Sequence, residues 1–180
     1  MHALWLRLLD WITNTFGSRR RSAIPREPVG IRPIGVVRNS VREPRPDGWA
    51  HVRSDVVLRD ELTELLDGIE DYSHIIVVFA FDRVPESAQR VRVHPRGDPR
   101  IPEQGVLATR SQLRPSPIGV SVVRLLKRRR NILRVAGLDA IDGTPVLDVK
   151  PYFPNHDAVP DAGIPGWARA LVAEPPTRGR

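Results

Sequence analysis

The chain has no cysteine, which excludes disulfides, zinc–thiolate centres and a thiol nucleophile and leaves the redox compartment unmarked. It has no apolar run of membrane-spanning length. No G-x-G-x-x-G follows a strand and no G-x-x-x-x-G-K-[ST] occurs, so the two commonest nucleotide-binding folds lack support; the G-x-S-x-G elbow of serine hydrolases is absent too. The histidines His2, His51, His74, His94 and His156 are not spaced as metal ligands, so no metal is expected. No repeat with a period of roughly 20 to 50 residues is visible. Lysine is scarce: of 28 basic residues against 21 acidic ones nearly all are arginine, for a net charge of +7. Arginine forks carboxylate and phosphate groups and stacks on bases, which makes a polyanion a natural partner, although a solvated arginine-rich surface has the same composition.

The stretch that organises the chain is Gly105 to Leu125, GVLATRSQLRPSPIGVSVVRL. An apolar run, Val106–Leu107–Ala108, and a β-branched run, Val120, Val122 and Val123, flank a polar connector holding Arg110, Ser111, Gln112, Arg114 and Ser116. Pro115 and Pro117 fix φ in the connector, and Gly119 restores freedom before the second strand. Two readings stand: a loop that presents guanidinium groups to an anionic ligand, or a proline-stiffened connection with solvated arginines.

Met1 to Phe16 places Leu4, Trp5, Leu8, Leu9 and Ile12 at helical spacing and lacks the basic start and long apolar stretch of a cleaved signal peptide. Arg19–Arg20–Arg21, Pro25 and Pro28 follow as a basic linker. Packing on its own domain or on a partner subunit is the favoured role of this helix, ahead of a membrane surface or RNA. Ile34 to Val37 reads as a strand, Pro44 to Gly48 as a loop, Asp60 to Asp67 as the one internal helix with Leu62, Leu65 and Leu66 on a common face, and Ile75 to Phe81 as a strand long enough to be buried on both faces. Val84 to Gln104 is an irregular proline-rich loop. Lys127 to Arg130 reads as a hairpin tip, Ile132 to Leu138 and Val146 to Val149 as strands, and Asp139 to Pro145 as a turn. The expected fold is mainly β, a β-barrel or a strongly curved sheet with one internal helix and an N-terminal amphipathic helix. Its parts are the helix over 1–17, the linker over 18–30, the barrel over 31–165 and a loosely packed tail over 166–180.

Polar groups recur at the strand ends: Arg38–Asn39–Ser40, Asp82, Arg110 to Arg114, Asp139, Asp142, Lys150 and Tyr152. Strand ends of one barrel meet at a rim, so these residues are expected to converge on one anion-binding pocket. Turn formation by Asp139 and Asp142, and capping of carbonyls by Lys150, are the structural alternatives.

At GVLATRSQLRPSPIGVSVVRL the chain resembles the tRNA methyltransferase O (TsaA-like) family, and RPIGVVRNS, IEDYSHIIVVFAFDR and LDAIDGTPVLDVKPYFP agree with it in order, covering about Arg32 to Asp161. The resemblance implies a small single-sheeted β-barrel, dimeric, to which the N-terminal amphipathic helix is an extra, and which binds S-adenosylmethionine without a Rossmann sheet and methylates the exocyclic nitrogen of N6-threonylcarbamoyladenosine beside the tRNA anticodon, in the cytoplasm. By the same resemblance Asn39, Ser40, Val41, Phe81, Asp82, Arg110, Val120, Gly137, Leu138 and Asp139 hold the cofactor. Arg96, Arg100, Arg114, Ser116, Lys150 and Tyr152 hold the acceptor, and Arg114, Asp139, Asp142, Lys150 and Tyr152 form the catalytic set, with Asp139 or Asp142 as the base. The chain departs from the family pattern at Ser116, at Asp82 and at Asn39–Ser40. The rival readings are an enzyme of the same fold acting on a small anionic molecule and a non-catalytic module that binds S-adenosylmethionine or RNA.

Overall fold

Eight strands frame the computed structural model, which describes residues 30–173. They are β1 (Gly35–Arg38), β2 (Arg53–Leu58), β3 (His74–Ala80), β4 (Arg92–Val93), β5 (Gln104–Gly105), β6 (Ile118–Arg129), β7 (Ile132–Ala136) and β8 (Pro145–Pro151). Six of them close a barrel in the order β1-β2-β7-β6-β3-β8, every pair antiparallel, and β4 and β5 form a separate two-stranded ribbon. Closure leaves the barrel strands without a free edge, so a mainly β chain of this size avoids edge-to-edge association.

Inward positions follow the period of two that a pleated strand imposes. Val37, Val56, Ile75, Val77, Leu133, Val135, Leu138 and Val146 are fully buried, with Phe79 beside them. Burying side chains of this size contributes about 1.5–3 kcal/mol each. Ile75 to Phe81 is not buried on both faces as its unbroken apolar run suggests. Only Ile75, Val77 and Phe79 point into the core, while Ile76, Val78 and Ala80 stand half-exposed on the outer wall, which no helix among the described residues covers.

Other expectations need correction. Asp60–Leu66 is a 3-10 helix; with three residues per turn Leu62 and Leu65 eclipse each other and only Leu66 reaches the core, leaving Leu65 80% exposed. Val106–Ala108 is a short 3-10 turn rather than a strand. Lys127 to Arg129 extend β6, and the reversal is confined to Arg130 and Asn131, with Arg130 at φ 53°. The strand expected over Ile132 to Leu138 stops at Ala136, because Gly137 turns at φ 88° and drops Leu138 into the core. The first residues of the supposed tail are helical: α1 (Pro154–Asp157) is followed by α2 (Gly166–Ala173). The N-terminal helix and the linker lie outside the described residues, apart from Gly30. Among the described residues no helix is long and apolar enough to cross a membrane.

Arg128 fastens the 3-10 segments to the barrel. Its guanidinium donates to the Thr63 and Leu66 carbonyls and to the Asp67 and Glu70 carboxylates at 2.7 to 3.3 Å.

Candidate active site

The C-terminal end of β3, the segment after β7 and the connector before β6 border one cavity of about 1330 Å³. That exceeds the roughly 300–1,000 Å³ typical of a site for one small ligand, so there is room for two.

The first wall is built at the end of β1. Asn39 makes an Asx turn, its Oδ1 accepting from the Val41 N–H at 2.9 Å, while its Nδ2 donates to Ser54 Oγ and to the Ala140 carbonyl, both at 2.9 Å. Asp142 answers from the other side. Its Oδ1 accepts from the Asn39 N–H at 3.1 Å, its Oδ2 is bound by the Arg42 guanidinium, and its N–H donates to the Val41 carbonyl at 2.8 Å. This reciprocal clamp fixes Asp139, Ala140 and Ile141 along the cavity. The Ser121 hydroxyl, buried on β6, donates to Asp139 Oδ1.

The second wall is aromatic. Phe79 and Phe81 meet edge to face with ring centroids 5.4 Å apart, and both line the cavity beside Asp82. A register shift between Val78 and Phe79, where β3 pairs with β8, re-aims the strand at this point.

The third wall is the connector. Thr109 Oγ1 donates to the Val106 carbonyl at 2.8 Å and accepts from the Ser111 N–H at 3.2 Å; Ser111 Oγ accepts from the Leu113 N–H at 3.2 Å. These short-range bonds hold Thr109 to Leu113 against the cavity. Arg110 donates to the Val120 carbonyl. Six arginines line the whole site, Arg45, Arg83, Arg90, Arg92, Arg96 and Arg110, against the three carboxylates Asp82, Glu103 and Asp139. The cavity is therefore electropositive, suited to anionic ligands.

Of the residues singled out from sequence, Phe81, Asp82, Arg96, Arg110 and Asp139 line the cavity. Asn39 and Val41 stand behind its wall as described, and Ser40 is exposed beside them. Gly137 forms the turn after β7; Leu138 is a core residue and offers a ligand only its backbone. Val120 faces outward and presents its carbonyl to Arg110. Asp142 does not border the cavity, and its carboxylate is taken by Arg42, Arg38 and the Asn39 N–H. Arg114 reaches back to the Thr109 carbonyl at 3.5 Å and Ser116 is exposed in the connector; neither lines the cavity. Arg100 forks onto Asp98 at 2.6 to 3.0 Å, a pairing that lowers the Asp98 carboxyl to about 2, and it too lies off the cavity.

Lys150 and Tyr152 are at the wrong end of the barrel for a common rim. β8 runs antiparallel to β3, so Val146 pairs with Phe79 at the cavity while Lys150 pairs with Ile76 near the far end. Lys150 is bound to Asp148 at 2.6 Å, which raises its pKa, and Tyr152 packs edgewise on His74 at 6.4 Å.

Trp49, Arg45, Arg83 and Trp167 line the cavity without having been singled out from sequence, as does His94, set aside there as a surface or core residue. An arginine and a tryptophan inside a Pro/Gly-rich loop was the available signal for the first two; Trp167 fell in the segment read as tail. Among the described residues no cluster of side chains is arranged to hold a metal ion.

The donor set fits S-adenosylmethionine. Aromatic faces and carboxylates suit a sulfonium and an adenosine, and a guanidinium suits an amino-acid carboxylate.

Residues 37–158 match the model of the tRNA-methyltransferase O N-terminal domain. The chain is 41% identical over 133 residues to an S-adenosyl-L-methionine-binding protein of Archaeoglobus fulgidus, covering 72% of this chain and 93% of that one. It is 36% identical over 155 residues to the tRNA (adenine(37)-N6)-methyltransferase of Escherichia coli K12, covering 78% of this chain and 65% of the relative. The crystal structure of TrmO from Pseudomonas aeruginosa superposes with a TM-score of 0.61 at 36% identity, over 76% of this chain and 62% of that one.

Proposed function

The chain belongs to the tRNA-methyltransferase O family, and from that premise we propose that it methylates the exocyclic nitrogen of N6-threonylcarbamoyladenosine next to the tRNA anticodon, with S-adenosylmethionine as methyl donor. The observation that carries this reading is a single cavity of about 1330 Å³ that combines a phenylalanine pair, two flanking aspartates and six arginines. It accommodates a sulfonium nucleoside and an anionic acceptor side by side.

Phe79, Phe81, Asp82, Arg110 and the Asp139–Ile141 backbone hold the cofactor. Bound there, S-adenosylmethionine supplies an electrophilic methyl group on sulfur. The chain's own contribution is to position the acceptor nitrogen in line with it and to exclude water. Asp139 has one carboxylate oxygen fixed by Ser121; the other takes the proton that the nitrogen loses. Arg96 and the neighbouring arginines of the β4–β5 ribbon pair with the phosphates and the threonyl carboxylate. An action on tRNA implies a cytoplasmic protein.

A homodimer belongs to the same reading. Ile118, Val120 and Val122 form an exposed apolar row on the outer face of β6, 36%, 43% and 52% exposed, and a second copy covers it. Lys150 and Tyr152 enter the site only as residues that such a copy supplies.

The test is methyl transfer from labelled S-adenosylmethionine to tRNA with and without the threonylcarbamoyl group. Label on the modified tRNA alone is the expected result. Cofactor binding with no label on either RNA would overturn the tRNA assignment and leave a binding module or another acceptor.

A further inference from the structure

We propose that Arg45 and Trp49 form a preorganised stacking platform for the acceptor's purine base. This rests on the tRNA methyltransferase reading and names the part of the cavity wall that receives the base.

The loop between β1 and β2 locks these two side chains together. The Arg45 guanidinium lies 4.8 Å from the centroid of the Trp49 ring. It donates to the Gly48 carbonyl at 2.8 Å, and the Trp49 indole N–H donates back to the Arg45 carbonyl at 3.0 Å. Gly48 sits at φ 76°, a conformation that a side chain would strain, and Pro44 and Pro46 stiffen the approach. The loop has thus already lost most of the freedom that binding would otherwise remove.

Trp49 is not among the core residues; it is half-buried, and both it and Arg45 contribute to the cavity wall. An indole with a stacked guanidinium is the pairing that nucleic-acid-binding surfaces offer to an unstacked base, through π overlap and cation–π attraction.

Position favours the acceptor over the cofactor's own adenine. Phe79 is 1% exposed, so the phenylalanine wall is the deep part of the site, whereas Arg45 is exposed. A small cofactor fills the deep part, and a base carried on RNA arrives from solvent. Arg83, Arg92 and Arg96 line the same cavity and are exposed, where they meet the backbone of that RNA.

The probe is an anticodon stem-loop RNA with adenosine on the 3′ side of the anticodon, compared with the same RNA abasic at that residue. Wild-type protein is expected to bind the adenosine RNA roughly tenfold to a hundredfold more tightly. Trp49→Ala should remove that difference, Trp49→Phe should keep most of it, and the affinity for S-adenosylhomocysteine by calorimetry should not change in either. Arg45→Met, which leaves the indole in place, should reduce the difference and serves if Trp49→Ala does not fold. Equal binding of the two RNAs by wild type, or discrimination intact in both Trp49→Ala and Arg45→Met, overturns the platform. A loss of S-adenosylhomocysteine binding that matches the loss of RNA binding overturns it in favour of a cofactor-adenine contact. A wild-type protein that discriminates between the RNAs but transfers no methyl group to threonylcarbamoylated tRNA removes the reaction and not the platform; full transfer to that tRNA by Trp49→Ala removes the platform and not the reaction.

Discussion

Gly119 lies opposite Phe79 in the β3–β6 register, and the Phe79 ring occupies the place where a Cβ at residue 119 would be. The glycine is there for close approach: its φ lies outside the positive range, so the conformational freedom inferred from sequence is not what the position requires. Because Phe79 is 1% exposed, its ring has no solvent to retreat into. Gly119→Ala is expected to destabilise the fold by about 1–3 kcal/mol and to weaken cofactor binding by tilting the phenylalanine wall. Urea denaturation and calorimetry with S-adenosylhomocysteine check the two effects; an unchanged midpoint and affinity would mean that the ring rearranges freely.

Asp139 and Asp142, equivalent in the sequence, are separated by their surroundings. Asp139 is exposed, lines the cavity and has one oxygen bound by Ser121. Asp139→Asn is expected to lower kcat by roughly a hundredfold to ten-thousandfold with little change in stability, and Ser121→Ala to lower it less. Single-turnover transfer combined with thermal melting separates the terms. A parallel fall in melting temperature for Asp139→Asn would assign the residue to structure instead.

Asp142 is 8% exposed and joins two segments of chain. Arg38 and Arg42 are more than half exposed, so their Coulombic share is screened, and the bond to the Asn39 N–H matters most. Asp142→Ala should therefore cost roughly 1.5–3 kcal/mol of stability. Activity should fall in proportion to folded protein at physiological temperature and recover on cooling. A large loss of kcat at full folding would restore Asp142 to the chemistry.

Legibility in the sequence followed the range of the forces involved. The barrel strands were readable because alternation of Val, Ile and Leu is local, and the connector was readable because Pro115, Pro117 and Arg110 are adjacent in sequence. The end of the barrel at which each polar residue falls was not. That depends on the antiparallel register, which pairs Val146 rather than Lys150 with Phe79, and register is a tertiary property. For the same reason Asp142 looked like a second base, since its partners Asn39 and Arg42 are about a hundred residues away in sequence. The Asp60–Leu66 segment misled differently: Leu62, Leu65 and Leu66 fit an α-helical face, but Arg128 and the core hold the segment as a 3-10 helix.

Acid should destabilise the protein in a defined window. Asp98 is held at about 2 by its hydrogen bonds from Arg100, Asp55 lies below its ordinary 3.8 through the hydrogen bond from Arg134, and Glu70 lies below 4.5 through its own backbone N–H and then Arg128. A carboxylate with a depressed folded pKa adds stability above its unfolded value and loses it as pH falls through the folded one. The urea midpoint is thus expected to be flat above pH 5 or so and to drop between about 4.5 and 2. Arg134→Met should shrink that drop, because it removes the largest cause of the lowered Asp55 pKa; an unaltered pH profile would show that the pair is already open in solution.

The proposed dimer makes a demand that a monomer does not. Val122 is 52% exposed on β6 opposite the half-exposed Ile76, at the end of the outer apolar row. Val122→Glu places a charge in that row and should leave the barrel folded while shifting the mass seen by light scattering from two copies to one. If Lys150 and Tyr152 serve a neighbour's cavity, the same variant loses methyl transfer while keeping its thermal midpoint. Mixing Asp139→Asn with Lys150→Met should then restore activity that neither variant shows alone, because a mixed dimer contains one cavity with both residues intact. A wild-type protein that scatters as a single copy, or a mixture no more active than its parts, would place Lys150 and Tyr152 outside the chemistry altogether.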